Sequence, residues 1–244
     1  GHSKGVMLSH RAITFNAMAH GNTQIIDDRH RMLSFLPLCH IYERSMNYAF
    51  QYLGVSIYYV ENLNTIIADL KDGNVNGFCA VPHILEMLLE KIRSAGKDLE
   101  GFRKKIYFWA FNAAEKYDSN NQSAFYKLKY KIADRLIYSK WRAKLGGNEL
   151  LIISGGTAVQ PKIIRLFTAA KMRIVEGYGL TETSPFIAFN RPNEHLVLID
   201  SVGKIVDGIE VKLAADGEIL TKGVCLMEGY YKDTEHTHRV IDDE

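Results

Sequence analysis

Along the first three quarters of the chain, short apolar runs alternate with segments of helical periodicity. Residues 33–37 (LSFLP), 55–60 (VSIYYV), 77–81 (GFCAV), 150–153 (LLII) and 172–175 (MRIV) are apolar, several of them β-branched or aromatic, and predict strands. Pro82 stands where a helix begins and Gly96 where it ends, the usual asymmetry of helix termini. Another helix is predicted around residues 162–170. Strands that alternate with helices predict an α/β fold, a mostly parallel sheet flanked by helices on both faces. Past about residue 190 the pattern switches. Residues 201–213 and 218–231 alternate in twos, and Asp207-Gly208 and Asp216-Gly217 mark turns. The expected division is an α/β region over residues 1–190 followed by part of a β-rich, barrel-like subdomain over residues 191–244.

A long helix is predicted from about residue 120 to 145, ended by Gly146-Gly147. Phe125, Leu128, Ile132 and Leu136 fall on one stripe. Lys127, Lys129, Lys131, Arg135, Lys140, Arg142 and Lys144 flank it, with Asp134 as the only acid. The pattern has two readings. The expected one packs the stripe into the core beneath a solvated basic face, as in many globular proteins. The other sets stripe and charges together against an anionic membrane surface.

The 244 residues are 47% hydrophobic and 24% charged, which allows a sizeable core and excludes a disordered or collagen-like chain. No apolar run is long enough to span a bilayer. Thirty Lys+Arg against 28 Asp+Glu leave a formal charge of +2, so charge gives no reason to expect nucleic acid as a partner. Cys39, Cys79 and Cys225 are far apart and odd in number, and predict reduced thiols in a cytoplasmic protein. His10, His20, His30 and His40 recur at intervals of ten, which do not return to one helix face. His236 and His238 point to opposite sides, so neither set predicts a metal site. The chain opens on Gly1-His2-Ser3-Lys4-Gly5, like the tail of a glycine-rich loop, without an initiator Met or a signal peptide. It closes on Asp242-Asp243-Glu244, and is expected to be a piece of a longer protein.

Gly177-Tyr178-Gly179-Leu180-Thr181-Glu182-Thr183 directly follows a predicted strand. Parallel sheets bind ligands at the carboxyl ends of their strands, and glycine there lets the backbone approach a ligand closely. Thr181 and Glu182 put a hydroxyl beside a carboxylate, which suits phosphate and Mg2+, an ion that takes one or two protein carboxylates. Tyr178 offers a flat face to a purine. A tight turn with solvated Thr and Glu side chains accounts for the same residues equally well. Ser154-Gly155-Gly156-Thr157 ends the preceding predicted strand, and the two loops together could form one shelf for a nucleotide. The opening glycine loop departs from the spacing of the nucleotide-hydrolase loop, so Lys4 alone carries little. The segment from Pro37 to Arg44 puts His40 just past a strand end, either lining a pocket or half-buried and satisfied. Neither a serine-hydrolase elbow nor a dinucleotide fingerprint after a strand occurs.

In order, these segments resemble the adenylate-forming superfamily, which includes acyl-CoA synthetases, luciferases and peptide-synthetase adenylation domains. GHSKGVMLSH (1–10) is similar to the end of the family's phosphate loop and the helix after it, and SGG (154–156) to its adenine-site loop. YGLTET (178–183) is close to its most diagnostic motif, and VGK (202–204), GEI (217–219) and GYYK (229–232) resemble later segments. LPLCHIYER (36–44), AVPHILE (80–86) and the long helical insertion before Ser154 resemble long-chain fatty acid–CoA ligases in particular.

The resemblance implies a two-step reaction. A fatty carboxylate attacks the α-phosphate of ATP and expels pyrophosphate, and the thiol of coenzyme A then attacks the acyl-adenylate. Carried over by position, Lys4 and Thr181 would hold phosphate oxygens and Glu182 would bind Mg2+. Gly155, Gly156, Thr157 and Tyr178, with Glu176, Gly177 and Gly179 beside them, would line the ATP/AMP site, and His40 and Gly155 would border the acyl pocket. Such chemistry depends mainly on positioning and on neutralising charge. Ser3 stands where the family usually has proline. The ribose-binding Asp and the catalytic Lys of the mobile C-terminal domain would lie beyond Glu244, so this piece alone is expected to be inactive. The implied partners are fatty acid, ATP and coenzyme A, in the cytoplasm, with peripheral membrane contact and a homodimer left open. The alternatives are adenylation of an aryl or amino acid, an acyl- or nucleotide-binding module without catalysis, and a scaffold that uses its basic helix for a partner.

Overall fold

A computed structural model describes residues 4–23, 25–118, 123–147, 149–192 and 199–242. Residues 1–3 of the opening loop and the predicted helix start at residue 120 lie outside them. In chain order, β1 (Val6–Met7) leads into α1 (His10–Gly21), whose first turn is capped by Ser9 Oγ accepting from the Ala12 amide at 3.1 Å. Then come β2 (Arg31–Ser34), α2 (Ile41–Tyr52), β3 (Ser56–Tyr59), α3 (Ile66–Asp72), β4 (Gly77–Ala80) and α4 (Pro82–Lys97). A helical insertion follows, made of α5 (Gly101–Glu115), α6 (Ala124–Ala133), a π-helical turn over residues 134–138 and α7 (Ser139–Lys144). β5 (Leu150–Ser154), α8 (Pro161–Ala169), β6 (Met172–Gly179) and β7 (Phe186–Phe189) complete the larger part of the fold.

With β8 (Lys204–Ile205), strands β2 to β7 form a seven-stranded sheet in the order β3-β2-β4-β5-β6-β7-β8. Neighbours from β3 to β6 run parallel, and β7 and β8 are added antiparallel. The apolar runs of the parallel strands serve two cores, because successive side chains point to opposite faces. Leu33, Phe78, Ile152 and Ile174 face the helices α3 to α5, α7 and α8, while Met32, Cys79, Leu151, Ile153 and Val175 face α1 and α2. This is the α/β sheet flanked by helices that the sequence pattern predicts. Pro82 opens α4 as expected, but Gly96 lies inside the helix. A Cβ at Gly96 would stand 2.4 Å from the Tyr107 ring, so close packing of α5 on α4 requires glycine there.

The insertion departs from the expected packing. Phe125, Leu128, Ile132 and Leu136 are 80%, 55%, 44% and 39% exposed. The rod turns its other side inward, burying Tyr130, Ala133, Ile137, Tyr138 and Trp141 against Tyr107, Ala110, Phe111 and Ala114 of α5. The aromatic face prevails because its polar ends are satisfied on burial. Tyr130 donates to the Ala113 carbonyl at 2.6 Å, Tyr138 to that of Ala110 at 2.8 Å, and Trp141 Nε1 to the Tyr107 oxygen at 3.0 Å. Among the described residues, no helix is long and apolar enough to cross a membrane.

Beyond β8 come a hairpin of β9 (Ile209–Leu213) and β10 (Ile219–Gly223), then β11 (Gly229–Tyr230) and α9 (Thr234–Val240). The hairpin turns at Asp216-Gly217, where Gly217 has φ +91° and the Glu218 amide donates to Asp216 Oδ1 at 3.1 Å. β11 pairs antiparallel with β1, which brings Tyr230 beside the start of the chain.

Candidate functional site

β4 and β5 end side by side against β6, with Ala80 opposite Ser154 and Ser154 opposite Glu176, and β6 runs on to Gly179. Above these ends lies a cavity of about 780 Å3. Gly155 and Gly156 line it from the β5 turn, Gly177, Gly179 and Thr181 from β6 and the turn after it, and His40 from the entrance of α2. Leu36, Ile41, Val81 and Phe186 add apolar walls. The sheet thus gathers these predicted residues around one space. Thr157, Glu176, Tyr178, Glu182 and Lys4 lie outside its lining.

The glycines of the 177–179 segment have a second function. The segment is not a loop after the strand but the last part of β6, paired with β7 through Gly177–Phe189, Tyr178–Ala188 and Gly179–Phe186. A Cβ on Gly179 would meet the Pro185 carbonyl oxygen at 1.7 Å, and one on Gly177 the Phe186 ring at 2.7 Å. The close approach that demands glycine is therefore that of the returning chain, while the same backbone also borders the cavity. Gly156 has φ +89°, a conformation glycine adopts without strain, and Gly155 lies under the Tyr42 ring. Tyr42 donates to the Ile153 carbonyl at 2.7 Å and so ties α2 to β5.

Glu176 is buried and accepts from the Val159 amide at 2.9 Å, which fastens the loop after Gly155-Gly156 to β6. Burial raises its pKa. Thr181 is exposed and Glu182 half-exposed, whereas Thr183 is buried. Thr183 Oγ1 accepts from the Leu180 amide at 3.0 Å and donates to the Pro185 carbonyl at 2.7 Å, closing the turn. Asn16 of α1, fully buried, donates to the Phe186 carbonyl at 2.8 Å and accepts from the Phe186 amide at 3.2 Å, which seats that turn on the body of the protein.

A second group forms at the edge of the cavity. Tyr230 donates to Glu182 Oε1 at 2.9 Å, and Lys4 Nζ stands 4.6 Å from the centre of the Tyr230 ring. Burial, then the Glu182 carboxylate, raises the Tyr230 pKa. One half-exposed carboxylate with an exposed hydroxyl beside it is a hard-oxygen donor set suited to a divalent cation shared with phosphates. Among the described residues, no group of three His, Cys, Asp or Glu side chains could cage a metal ion alone.

Sequence reasoning missed Tyr230, Asn16, Tyr42 and Glu43. Tyr230 and Tyr42 sit in segments already singled out for resemblance, but nothing in their spacing shows what they touch. Glu43 lines the cavity yet is buried, and its carboxylate accepts from Ser34 Oγ at 2.5 Å. Burial pushes its pKa up to about 7, against hydrogen bonds that lower it.

The AMP-binding enzyme family model matches residues 1–231. The long chain acyl-CoA synthetase 6, peroxisomal, of Arabidopsis thaliana is 30% identical over 260 residues, covering 100% of this chain and 36% of that protein. The chain therefore spans little more than a third of the length of such curated relatives. Among solved structures, the N-terminal domain of FACL13 from Mycobacterium tuberculosis superposes with a TM-score of 0.69 at 19% identity, over 100% of this chain and 53% of the other. The O-succinylbenzoate coenzyme A synthetase of Bacillus subtilis, in complex with ATP and magnesium ion, gives 0.66 at 18% identity, over 98% of this chain and 42% of the other.

Proposed function

Because the chain belongs to the AMP-binding enzyme family, we propose that it forms the nucleotide- and acyl-binding core of an ATP-dependent ligase that activates a long-chain fatty acid and passes the acyl group to coenzyme A. The observation that carries this reading is the convergence of Gly155-Gly156, Gly177, Gly179, Thr181 and His40 on one cavity at the ends of parallel strands. The relatives' names supply the substrate class.

In the first step a carboxylate oxygen bonds to the α-phosphorus, and the bond to the pyrophosphate oxygen breaks. In the second, the coenzyme A sulfur bonds to the acyl carbon and AMP departs. The backbone at Gly155-Gly156, Gly177 and Gly179, which carries no Cβ, admits the nucleotide. Thr181 and Lys4 hold phosphate oxygens. Tyr230 orients the Glu182 carboxylate, which would hold Mg2+, whose charge would offset that of the phosphates when it is bound. His40 with the apolar wall of Leu36 and Ile41 receives the acyl end. Glu176 acts through the loop it fastens and is a positioning residue.

ATP–pyrophosphate exchange by the full-length protein, run in parallel with palmitate, an aromatic acid and an amino acid, tests the reading. Exchange is expected with palmitate. Exchange with only the aromatic or the amino acid would move the substrate class. If calorimetry shows ATP or palmitate binding but no acid supports exchange, the protein is a binding module instead.

A further inference from the structure

A second cavity, of about 730 Å3, lies between α3, α4, α5 and α7. Among the described residues it shares no wall with the glycine-lined one. Its interior is apolar, walled by Leu88, Ile92, Ile106 and Trp141, and its charged members are Lys91, Arg103, Lys140 and Lys144, with no acid among them. The size suits one lipid-like or drug-sized molecule.

Leu136 belongs to this wall and is also the last residue of the exposed stripe that descends α6 through Phe125, Leu128 and Ile132. Leu136 therefore joins the exposed stripe to the cavity wall. On α5, Phe102 beside Arg103 is 76% exposed and extends the same chemistry. Lys127, Lys131 and Arg135 stand exposed along the stripe. The one acid of the rod, Asp134, is taken by Arg142 at 2.6 Å and by Lys171 at 3.7 Å. Glu90 on α4 is paired with Lys97 at 3.2 Å. The stripe's positive field is thus left unopposed from its own helix.

The well is apolar and the charges around it are positive. An acyl chain beneath an anionic headgroup matches it in both polarity and sign. Helices with this division lie in the interface plane, their apolar face sunk among the upper acyl carbons and their lysines at headgroup level. We propose that this face docks the protein on an anionic lipid bilayer, with α6 in the interface and one lipid acyl chain entering the cavity between α4, α5 and α7. The proposal stands on the insertion alone and is independent of the ligase reading.

Vesicle co-sedimentation of the purified protein tests it. Binding to phosphatidylcholine vesicles containing phosphatidylglycerol is expected to exceed binding to pure phosphatidylcholine vesicles, and to fall as salt shortens the screening length. Each exposed cation removed is expected to weaken binding about fivefold, so the triple variant Lys127→Glu, Lys131→Glu, Arg135→Glu should lose it by about a hundredfold or more. The double variant Phe125→Asp, Leu128→Asp should lose it as well, with an unchanged melting curve, since both side chains lie outside the core. Phosphatidylglycerol brominated on its acyl chains should quench the part of the tryptophan emission that disappears in Trp141→Phe. Absence of sedimentation overturns the proposal, as does equal sedimentation with neutral vesicles that neither variant reduces. Self-association in lipid-free solution that Phe125→Asp, Leu128→Asp dissolves would make the face a contact between copies instead. Binding without Trp141 quenching would overturn the cavity's part.

Discussion

The two large cavities have almost the same volume, about 780 and 730 Å3, but are walled by different materials. The first has one wall of glycine backbone at the ends of β5 and β6, faced by the segment entering α2 and by Val81 and Phe186. Those pieces are far apart in sequence and are brought together by the sheet. The second is bounded by the long side chains of neighbouring helices. Where backbone makes the wall, glycine is required by the neighbouring chain and the few polar side chains are free for chemistry. Where side chains make the wall, each one also holds the helices together. Substitutions at the first should therefore cost turnover, and substitutions inside the second should cost stability.

The largest expected effect tests the second half of that contrast. Trp141 packs on Tyr107, Phe111 and Tyr138 with ring centres 5.8, 6.2 and 5.0 Å away, and donates to the Tyr107 oxygen. Trp141→Ala should lower the unfolding free energy by about 3–5 kcal/mol, read from the urea midpoint. A loss of turnover per folded molecule would break the contrast.

Next, Glu182→Gln in the full-length protein should reduce ATP–pyrophosphate exchange by roughly 10²-fold or more, with the urea midpoint unchanged. An unstable variant would mean that the bond from Tyr230 is structural.

Glu43 blurs the boundary, since it lines the first cavity and is nevertheless buried. Its carboxyl stays protonated up to about pH 7 in the folded protein but ionises from 4.5 once unfolded. The folded state binds the extra proton in that window, so stability falls as pH rises from 4.5 to 7 and changes no further above it. Removing the shift with Glu43→Gln should flatten that slope, worth about 3 kcal/mol at most. His20, buried against Phe186 and Phe189 and lowered to about 3, works oppositely and costs stability as pH falls below 6.5. Urea titrations of both proteins at pH 5 and pH 8 isolate the Glu43 share.

The smallest effect is expected on the outside of the insertion. Phe125→Ser should change stability by no more than about 0.5 kcal/mol, because the ring is exposed. A larger loss would mean that the stripe is covered in solution.

How much of this was legible in the sequence differs between the same two regions. The parallel strands, Pro82 opening α4 and the turn at Asp216-Gly217 follow from local pattern, and the structure has them within a few residues. The glycine-rich segments were visible, yet the reason for Gly179 was not, because it lies in the Pro185 carbonyl that approaches it. In the insertion, two stripes compete on one rod. Apolarity favoured Phe125, Leu128, Ile132 and Leu136, but only α5 offers the carbonyls of Ala110 and Ala113 that let Tyr138 and Tyr130 go inside.

The sequence by itself determined the α/β alternation, the polarity of the strands' two faces and the residue types at the strand ends, because these depend on periodicities of two and 3.6 that any local segment expresses. Which face of the insertion is buried, what presses on each glycine and which tyrosine reaches Glu182 were decided only by tertiary structure. Each depends on a hydrogen-bond partner or a steric neighbour many residues away, and no local pattern carries that information.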